Sequence, residues 1–259
     1  MPPQYSAVLS GGGFDGFWAI LGAAQELNRR HNIHQWAGTS AGSIVAAIMA
    51  CEVPIESIIR QATGSDLAPR DISFADTSVL SNAELLGMFR RHFPATLGET
   101  KRRLKVCTTN LTTARAMVWD SCDHGWAPLP ELILASTAIP FAFPPVKIGK
   151  YHHCDGGVTH NLLADAFPLS PTIAVTAFQR SFQERPSGWL DRAKWTASRC
   201  VSAALASNIR EDLEDAADLR SVITVPRRPD SGLKTFWRIN EAMDAMEAGA
   251  KALESGGKK

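Results

Sequence analysis

Twice near its start, the chain passes from a short strand pattern through a glycine-containing turn into a helical pattern. The first strand pattern is Tyr5–Ser10, which is followed by three glycines and by apolar residues spaced three and four apart from Gly16 to Arg30. The second is His34–Ala37, which leads through a turn at residues 38–42 into an alanine-rich helical pattern ending at Cys51. Strands that alternate with helices in this way favour a parallel sheet covered by helices.

The rest of the chain continues this alternation. Further strands are predicted at Leu104–Asn110, Ala114–Trp119, Thr172–Phe178 and Ser221–Val225, and helices at Pro130–Ala138, Trp189–Leu219 and Thr235–Leu253. Because 45% of the 259 residues are apolar and no linker separates the halves, we expect a single domain over residues 1–259. Its motif-bearing part covers residues 5–165, and the helices within 187–255 belong to the same domain. The predicted fold class is α/β, with a mostly parallel central sheet.

Charge and cysteine content exclude several functional classes. The 27 Lys and Arg residues nearly balance the 26 Asp and Glu residues, so the basic surface that a nucleic-acid partner requires is missing. The five cysteines are widely spaced without a C-x-x-C pair, which disfavours a disulfide framework. No signal peptide is visible, and no apolar run approaches the roughly 20 residues of a transmembrane segment. We therefore expect a cytoplasmic protein that is at most peripheral at membranes.

The glycine turn after the first strand is open to two interpretations. Gly11 to Gly16 satisfy G-x-G-x-x-G between a strand and a helix, where a dinucleotide pyrophosphate could bind. Such a site also uses an acidic residue about 20 positions further on, and residues 33–40 contain no carboxylate. A P-loop is excluded because no G-K-[ST] follows. A dinucleotide-binding oxidoreductase and a turn that only reverses the chain are the alternatives at this point.

The turn after the second strand contains G-x-S-x-G, centred on Ser40. A serine in such a nucleophile elbow has a strained backbone, so the residues two positions either side, Gly38 and Gly42, must lack a Cβ. The turn also places Ser40 at a helix N-terminus, where amides and the helix dipole stabilise developing negative charge. Ser40 is therefore the candidate nucleophile.

A serine nucleophile needs a base, and Asp155 is the candidate for that role. The common hydrolase order places a histidine late in the chain, yet no histidine follows His160. Asp155 precedes Gly156 and Gly157, which permit a sharp turn, and a carboxylate within hydrogen-bond reach of Ser40 can take its proton directly. The alternative is an Asp-Gly-Gly turn in which the carboxylate only binds local amides.

The histidines near Asp155 raise two further alternatives. His152, His153 or His160 could complete a Ser–His–Asp triad, or the cluster with Cys154 could hold a metal ion. Adjacent residues on a strand point to opposite faces, so His152 and His153 are not expected to share one ion. We therefore predict no metal and no cofactor.

Four ordered sequence blocks resemble the patatin-like phospholipase family. They are SGGGFDG from Ser10, GTSAGS from Gly38, ASTAIPFAFPPV from Ala135 and DGGVTHN from Asp155, and they span positions 10–161. The resemblance implies a three-layer α/β/α fold and hydrolysis of a fatty-acyl ester, from a phospholipid, lysophospholipid or neutral lipid, at a membrane or micelle surface.

The resemblance also assigns roles within the site. It implies that Ser40 is the nucleophile, that Asp155 is its general base, and that a covalent acyl-serine intermediate forms. The backbone N–H groups of Gly11, Gly12 and Gly13 would form the oxyanion hole. The remaining motif glycines would support the nucleophile elbow and the turns. They are Gly16, Gly38, Gly42, Gly156 and Gly157.

Three positions depart from the family pattern. Asp15 stands where a basic residue is usual, Ser10 stands where an acidic residue is frequent, and Asn161 is followed by two leucines in place of x-Pro. A negative charge at Asp15, near the oxyanion hole, would weaken binding of anionic phosphate headgroups. A catalytically weak lipid-binding or scaffold protein on the same fold is therefore one alternative function. The oxidoreductase using Gly11–Gly16 is a less favoured one.

Overall fold

A computed structural model describes residues 3–63, 82–140, 142–177, 189–214, 216, 219–225 and 239–254. The strands of this part are β1 Gln4–Leu9, β2 Asn32–Thr39, β3 Arg103–Asn110, β4 Arg115–Asp120, β5 Val146–Ile148, β6 Tyr151–Asp155, β7 Thr172–Thr176 and β8 Leu219–Thr224. The helices are α1 Gly13–Arg30, α2 Ala41–Cys51, α3 Ile55–Thr63, α4 Asn82–His92, α5 Leu129–Ser136, α6 Trp189–Glu214 and α7 Ile239–Glu254. Single 3₁₀ turns occupy Leu97–Glu99 and Gly156–Val158.

All eight strands belong to one sheet, and its centre is parallel. The strand order is β5-β6-β3-β2-β1-β7-β8, with β4 also paired to β3. Strands β3, β2, β1, β7 and β8 run parallel, whereas β4, β5 and β6 are joined by antiparallel pairings. Parallel strands buried on both faces carry continuous apolar runs, and Ala7, Val8 and Leu9 of β1 are fully buried. The prediction of a mostly parallel central sheet is confirmed.

The core is divided by the sheet into two clusters. Because successive strand residues point to opposite faces, Ala7 and Leu9 belong to one cluster and Val8 to the other. The first cluster includes buried side chains of α1, α2, α5 and α7. The second contains Leu162 and Phe167, with Leu213 of α6 packed against it. Helices thus lie on both sides of the sheet, which is the expected three-layer arrangement.

Several element boundaries differ from the sequence predictions. Helix α1 begins at Gly13 rather than Gly16, so part of the glycine turn forms the first helical turn. The helix predicted to reach Leu219 ends at Glu214, and Leu219 instead begins β8, whose pairing with β7 overrides its weak helical pattern. Helices α3 and α4 and strand β5 had not been predicted. Residues 178, 187–188, 235–238 and 255, at the ends of predicted segments, lie outside the described residues.

Strand β3 brings the ends of β2 and β6 together. Cys107 pairs with Thr39 of β2, the next residue Thr108 pairs with Asp155 of β6, and β4 pairs with both of these β3 positions. Because β4 occupies one edge of β3, strands β2 and β6 must lie end to end along its other edge. Ser40 directly follows Thr39, so Ser40 and Asp155 meet where both strands end.

Candidate active site

Ser40 lies in a tight turn between β2 and α2 and is 6% exposed. Its backbone has φ 52° and ψ −127°, a conformation that residues with a Cβ rarely adopt. The two flanking glycines are required by close approach: a Cβ on Gly38 would lie 2.2 Å from the carbonyl oxygen of Gly42. A Cβ on Gly42 would lie 2.4 Å from the carbonyl oxygen of Leu9. The sequence motif therefore reflects steric exclusion around a strained serine.

Two other serines fix the peptide groups of Ser40. Its N–H donates to Ser136 Oγ at 2.9 Å, and Ser136 is fully buried at the end of α5. Its carbonyl oxygen accepts from both the hydroxyl and the amide of Ser43, at 2.6 and 2.9 Å. Neither residue was predicted from the sequence to belong to the site, although Ser136 lies in the block beginning at Ala135 and Ser43 in the block beginning at Gly38.

Asp155 ends β6 and is 1% exposed. Its Oδ1 accepts a hydrogen bond from the Gly157 N–H at 2.8 Å, whereas Oδ2 has no hydrogen-bond partner among the described residues. Burial raises the pKa of Asp155 to about 7, although the Ser40 side chain and the Gly157 amide both act to lower it. The Ser40 side chain is thus close enough to the carboxyl group to lower its pKa, although Oδ2 accepts no hydrogen bond from the described residues.

Burial favours the uncharged form of three other titratable groups close to Asp155. Burial raises the pKa of the Cys154 thiol to about 11 and that of the buried Cys107 thiol well above its usual range. His153 is buried with Nδ1 3.0 Å from Thr108 Oγ1, and burial and then His152 lower the pKa of its imidazole. Asp155 is therefore the group beside Ser40 that changes charge near pH 7.

The remaining histidines of the cluster point away from a shared centre. His152 is exposed and His153 is buried, as expected for neighbours on a strand. His160 Nδ1 lies 2.7 Å from Asp212 Oδ1 of α6. Within the ranges that the structure describes, no group of three His, Cys, Asp or Glu side chains could hold a metal ion.

The glycine loop runs directly beside Ser40. A Cβ on Gly11 would lie 3.1 Å from Ser40 Cβ. The Gly11 N–H already donates to Asn161, contacting its carbonyl oxygen and its Oδ1 at 3.1 Å each, so it is not available to an oxyanion. The amides of Gly12 and Gly13 donate to none of the described residues, and Gly13 has φ 60° with open space beside it. Of the three glycines named from the sequence, these two can offer donors.

The residues around this loop explain one departure from the family pattern. Ser10 is buried, its hydroxyl donates to the Gly11 carbonyl oxygen at 2.9 Å, and its Oγ accepts the Ala177 N–H at 3.2 Å. Ser10 thus anchors the loop to the end of β7. Gly16 donates its N–H to the Gly12 carbonyl oxygen at 3.0 Å, which closes the first turn of α1. The side chain of Asp15 lies outside the described part of the chain.

None of the helices in the described ranges is long and apolar enough to cross a lipid bilayer.

One family model matches the part of the chain that contains this site. Residues 7–168, more than half of the chain, match the family model described as patatin-like phospholipase. The chain is also similar to protein R571 of Acanthamoeba polyphaga mimivirus, at 28% identity over 192 residues covering 65% of this chain and 63% of that protein. The chain therefore spans less than two thirds of the length of R571.

Two further proteins are similar to this chain in sequence, and one solved structure is similar to it in fold. YqhO of Bacillus subtilis is 26% identical over 249 residues, covering 83% of this chain and 82% of YqhO. The cGAMP-activated phospholipase of Pseudomonas aeruginosa is 26% identical over 181 residues, covering 62% of this chain and 54% of that protein. VipD of Legionella pneumophila matches with a TM-score of 0.53 and 14% identity, covering 97% of this chain and 67% of VipD, which shows a shared fold.

Proposed function

Because the chain belongs to the patatin-like phospholipase family, a family of lipid acyl hydrolases, we propose that it cleaves fatty-acyl esters through a Ser40–Asp155 dyad. The observation that supports this most is the meeting of a strained serine with a buried carboxyl group whose Oδ2 has no partner in the described residues. A general base is most effective when its pKa lies near the working pH, and that of Asp155 is about 7.

In the proposed acylation step, Asp155 Oδ2 takes the proton of the Ser40 hydroxyl while Ser40 Oγ attacks the ester carbonyl carbon. The resulting oxyanion accepts hydrogen bonds from the amides of Gly12 and Gly13 at the start of α1. Collapse of the tetrahedral intermediate breaks the bond to the alcohol, which leaves with the proton held on Asp155. The products of this step are an acyl-Ser40 ester and a free alcohol or lysolipid.

Deacylation repeats the same proton transfers with water. Asp155 takes a proton from a water molecule while the water oxygen attacks the acyl-Ser40 carbonyl carbon. Asp155 then returns that proton to Ser40 Oγ when the fatty acid leaves. No cofactor enters this cycle. The proposed substrates are phospholipids, lysophospholipids or neutral lipids presented at a membrane or micelle surface.

Fatty-acid release from mixed micelles tests this proposal. We expect the wild-type protein to release fatty acid from one or more of phosphatidylcholine, lysophosphatidylcholine and diacylglycerol, and Ser40→Ala and Asp155→Asn each to lose that activity while remaining folded. If the wild-type protein binds all three micelle types without hydrolysing any, a lipid-binding or scaffold protein on this fold is the better description. Comparable turnover by Ser40→Ala would assign the nucleophile elsewhere.

A further inference from the structure

Helix α6 contacts the segment that follows Asp155. Asn208 Nδ2 donates hydrogen bonds to the carbonyl oxygens of Gly157 and Val158, at 2.7 and 3.0 Å. Four residues later, Asp212 Oδ2 accepts the Leu162 N–H at 2.8 Å. Because residues four apart lie on one face of a helix, the two side chains hold both ends of segment 157–162 against α6.

The same segment contacts both halves of the proposed catalytic site. At its first end, the Gly157 N–H donates to Asp155 Oδ1 while the Gly157 carbonyl oxygen accepts from Asn208. At its other end, Asn161 accepts the Gly11 N–H through two oxygens. One segment thus connects α6 to the proposed base and to the glycine loop.

We propose that Asn208 and Asp212 are positioning residues for ester hydrolysis. Asn208 holds the carbonyl group of Gly157 and so fixes the position of this residue, whose N–H, on the preceding peptide group, donates to the Asp155 carboxylate. Asp212 fixes Leu162 so that the preceding Asn161 keeps the glycine loop beside Ser40. This inference rests on the proposed function, because it requires Asp155 to be the base. Both residues lie beyond positions 7–168, so the family match does not include them.

Burial makes these contacts specific. The Asp212 side chain is 8% exposed, and its second oxygen lies 2.7 Å from His160 Nδ1. Gly157 is buried, so the hydrogen bond from the half-buried Asn208 to its carbonyl oxygen is partly shielded from water. Hydrogen bonds in such a low-dielectric setting are stronger than at the surface. Loss of either side chain therefore leaves a backbone group of the segment without its partner.

Loss of Asn208 has a distinct signature. The Gly157 N–H stabilises the charged form of Asp155, so a displacement of Gly157 that weakens this hydrogen bond raises the pKa of that carboxyl further above its ordinary value. Burial favours the uncharged forms of Cys107, Cys154 and His153, and this variant does not alter Asp212 or His160, so none of these groups causes the same shift. The acid limb of the kcat profile then moves to higher pH, which a general loss of stability does not cause.

The test compares Asn208→Ala with Ser207→Ala in steady-state kinetics on a soluble short-chain ester. Ser207 is the neighbouring residue on α6, and its hydroxyl bonds to Glu211 on the exposed side of the helix. We expect Asn208→Ala to lower kcat by about tenfold to a hundredfold with KM unchanged, since small displacements of a catalytic group have effects of that size. Its acid limb should shift upward, whereas Ser207→Ala should match the wild-type protein in both measurements.

Asp212→Ala, which removes the acceptor of the Leu162 N–H, should lower kcat without moving the acid limb, because Asp212 acts on the glycine loop through Asn161 rather than on Asp155. If Asn208→Ala does not fold, Asn208→Leu preserves the side-chain volume without the donors and carries the same expectations. A folded Asn208 variant with wild-type kcat and an unshifted acid limb would overturn the positioning role. Asp155→Asn is measured in the same kinetic assay. Full activity of that variant would overturn the proposed function, and this inference with it.

Discussion

At Ser40, one residue combines backbone strain with peptide groups that two buried serines hold in place. The strand–turn–helix pattern and the two flanking glycines predicted the strained turn at this position, which the structure contains. The partners of its peptide groups, Ser136 and Ser43, were not identified, because a single buried hydroxyl produces no periodic pattern. The engagement of the Gly11 amide by Asn161 was equally hidden, since it depends on a contact 150 positions away along the chain.

The strain at Ser40 is measurable as a difference between two inactive variants. Glycine adopts positive φ without a steric penalty, whereas alanine retains the Cβ that is unfavourable at φ 52°. We expect Ser40→Gly to exceed Ser40→Ala in free energy of unfolding by about 1 kcal/mol in urea titrations. Equal stability of the two variants, or greater stability of Ser40→Ala, would show that the turn is not strained.

The charge of Asp155 sets the expected pH dependence of activity. With a pKa of about 7 in the folded protein, the carboxyl group is protonated below that value and cannot accept the Ser40 proton. We expect kcat on a soluble ester to rise as pH increases through 7 and then to level off. Asp155→Asn should cost about a hundredfold or more, within the range of general-base catalysis.

Three histidine variants serve as the controls for that measurement. His152→Gln, His153→Gln and His160→Gln should each reduce kcat far less than Asp155→Asn does. A histidine variant that is well folded and as inactive as Asp155→Asn would instead indicate a Ser–His–Asp triad.

Helices α1 and α7 pack closely against each other at glycines of both helices, and the sequence did not predict this contact. A Cβ on Gly249 of α7 would lie 1.9 Å from the Ala19 carbonyl oxygen of α1, and one on Gly22 would lie 2.0 Å from that of Met246. Periodicity predicted both helices, but it contains no information about which helices pack together. Helix α3, of nine residues, was not predicted even though Ile55, Ile58 and Ile59 have helical spacing.

Alanine substitution of two helical glycines tests this packing. Gly249→Ala should lower the free energy of unfolding by about 2 kcal/mol or more, because the added methyl group meets backbone rather than a movable side chain. Gly87→Ala in α4 is the matched control, since its Cβ would contact only the guanidinium end of Arg91, at 3.8 Å. There we expect a gain of about 0.5–1 kcal/mol from higher helix propensity. Chemical denaturation of both variants checks the pair, and a neutral Gly249→Ala would contradict the packing.

In the whole molecule, strands and helices of the motif-bearing part pair and pack with elements that follow it in the sequence. Strand β1 pairs with β7, and β7 with β8, both of which follow residue 168. Helix α7 packs on α1, whose N-terminus carries the glycine loop. The sequence predicted the sheet class correctly, but the order of its strands depends on long-range pairing that no local pattern specifies.

A fragment of residues 1–168 tests whether the chain folds as one unit. It lacks the neighbour of β1 on one side and the helix that covers α1, so buried apolar surface such as that of Leu9 and Ile20 becomes exposed. We expect the fragment to show no cooperative urea transition and no esterase activity under conditions in which the full chain has both. A cooperative, active fragment would show that the C-terminal elements form a separate domain.

Covalent labelling with a fluorophosphonate, followed by peptide mapping, identifies the nucleophilic residue most directly. A fluorophosphonate phosphonylates an activated serine oxygen with loss of fluoride, so the adduct identifies the nucleophile without assuming a substrate. We predict one adduct, on Ser40, at a rate that falls sharply in Asp155→Asn and to zero in Ser40→Ala. An adduct on a different serine of a folded protein, or equal labelling of the wild-type protein and Asp155→Asn, would contradict the proposed dyad.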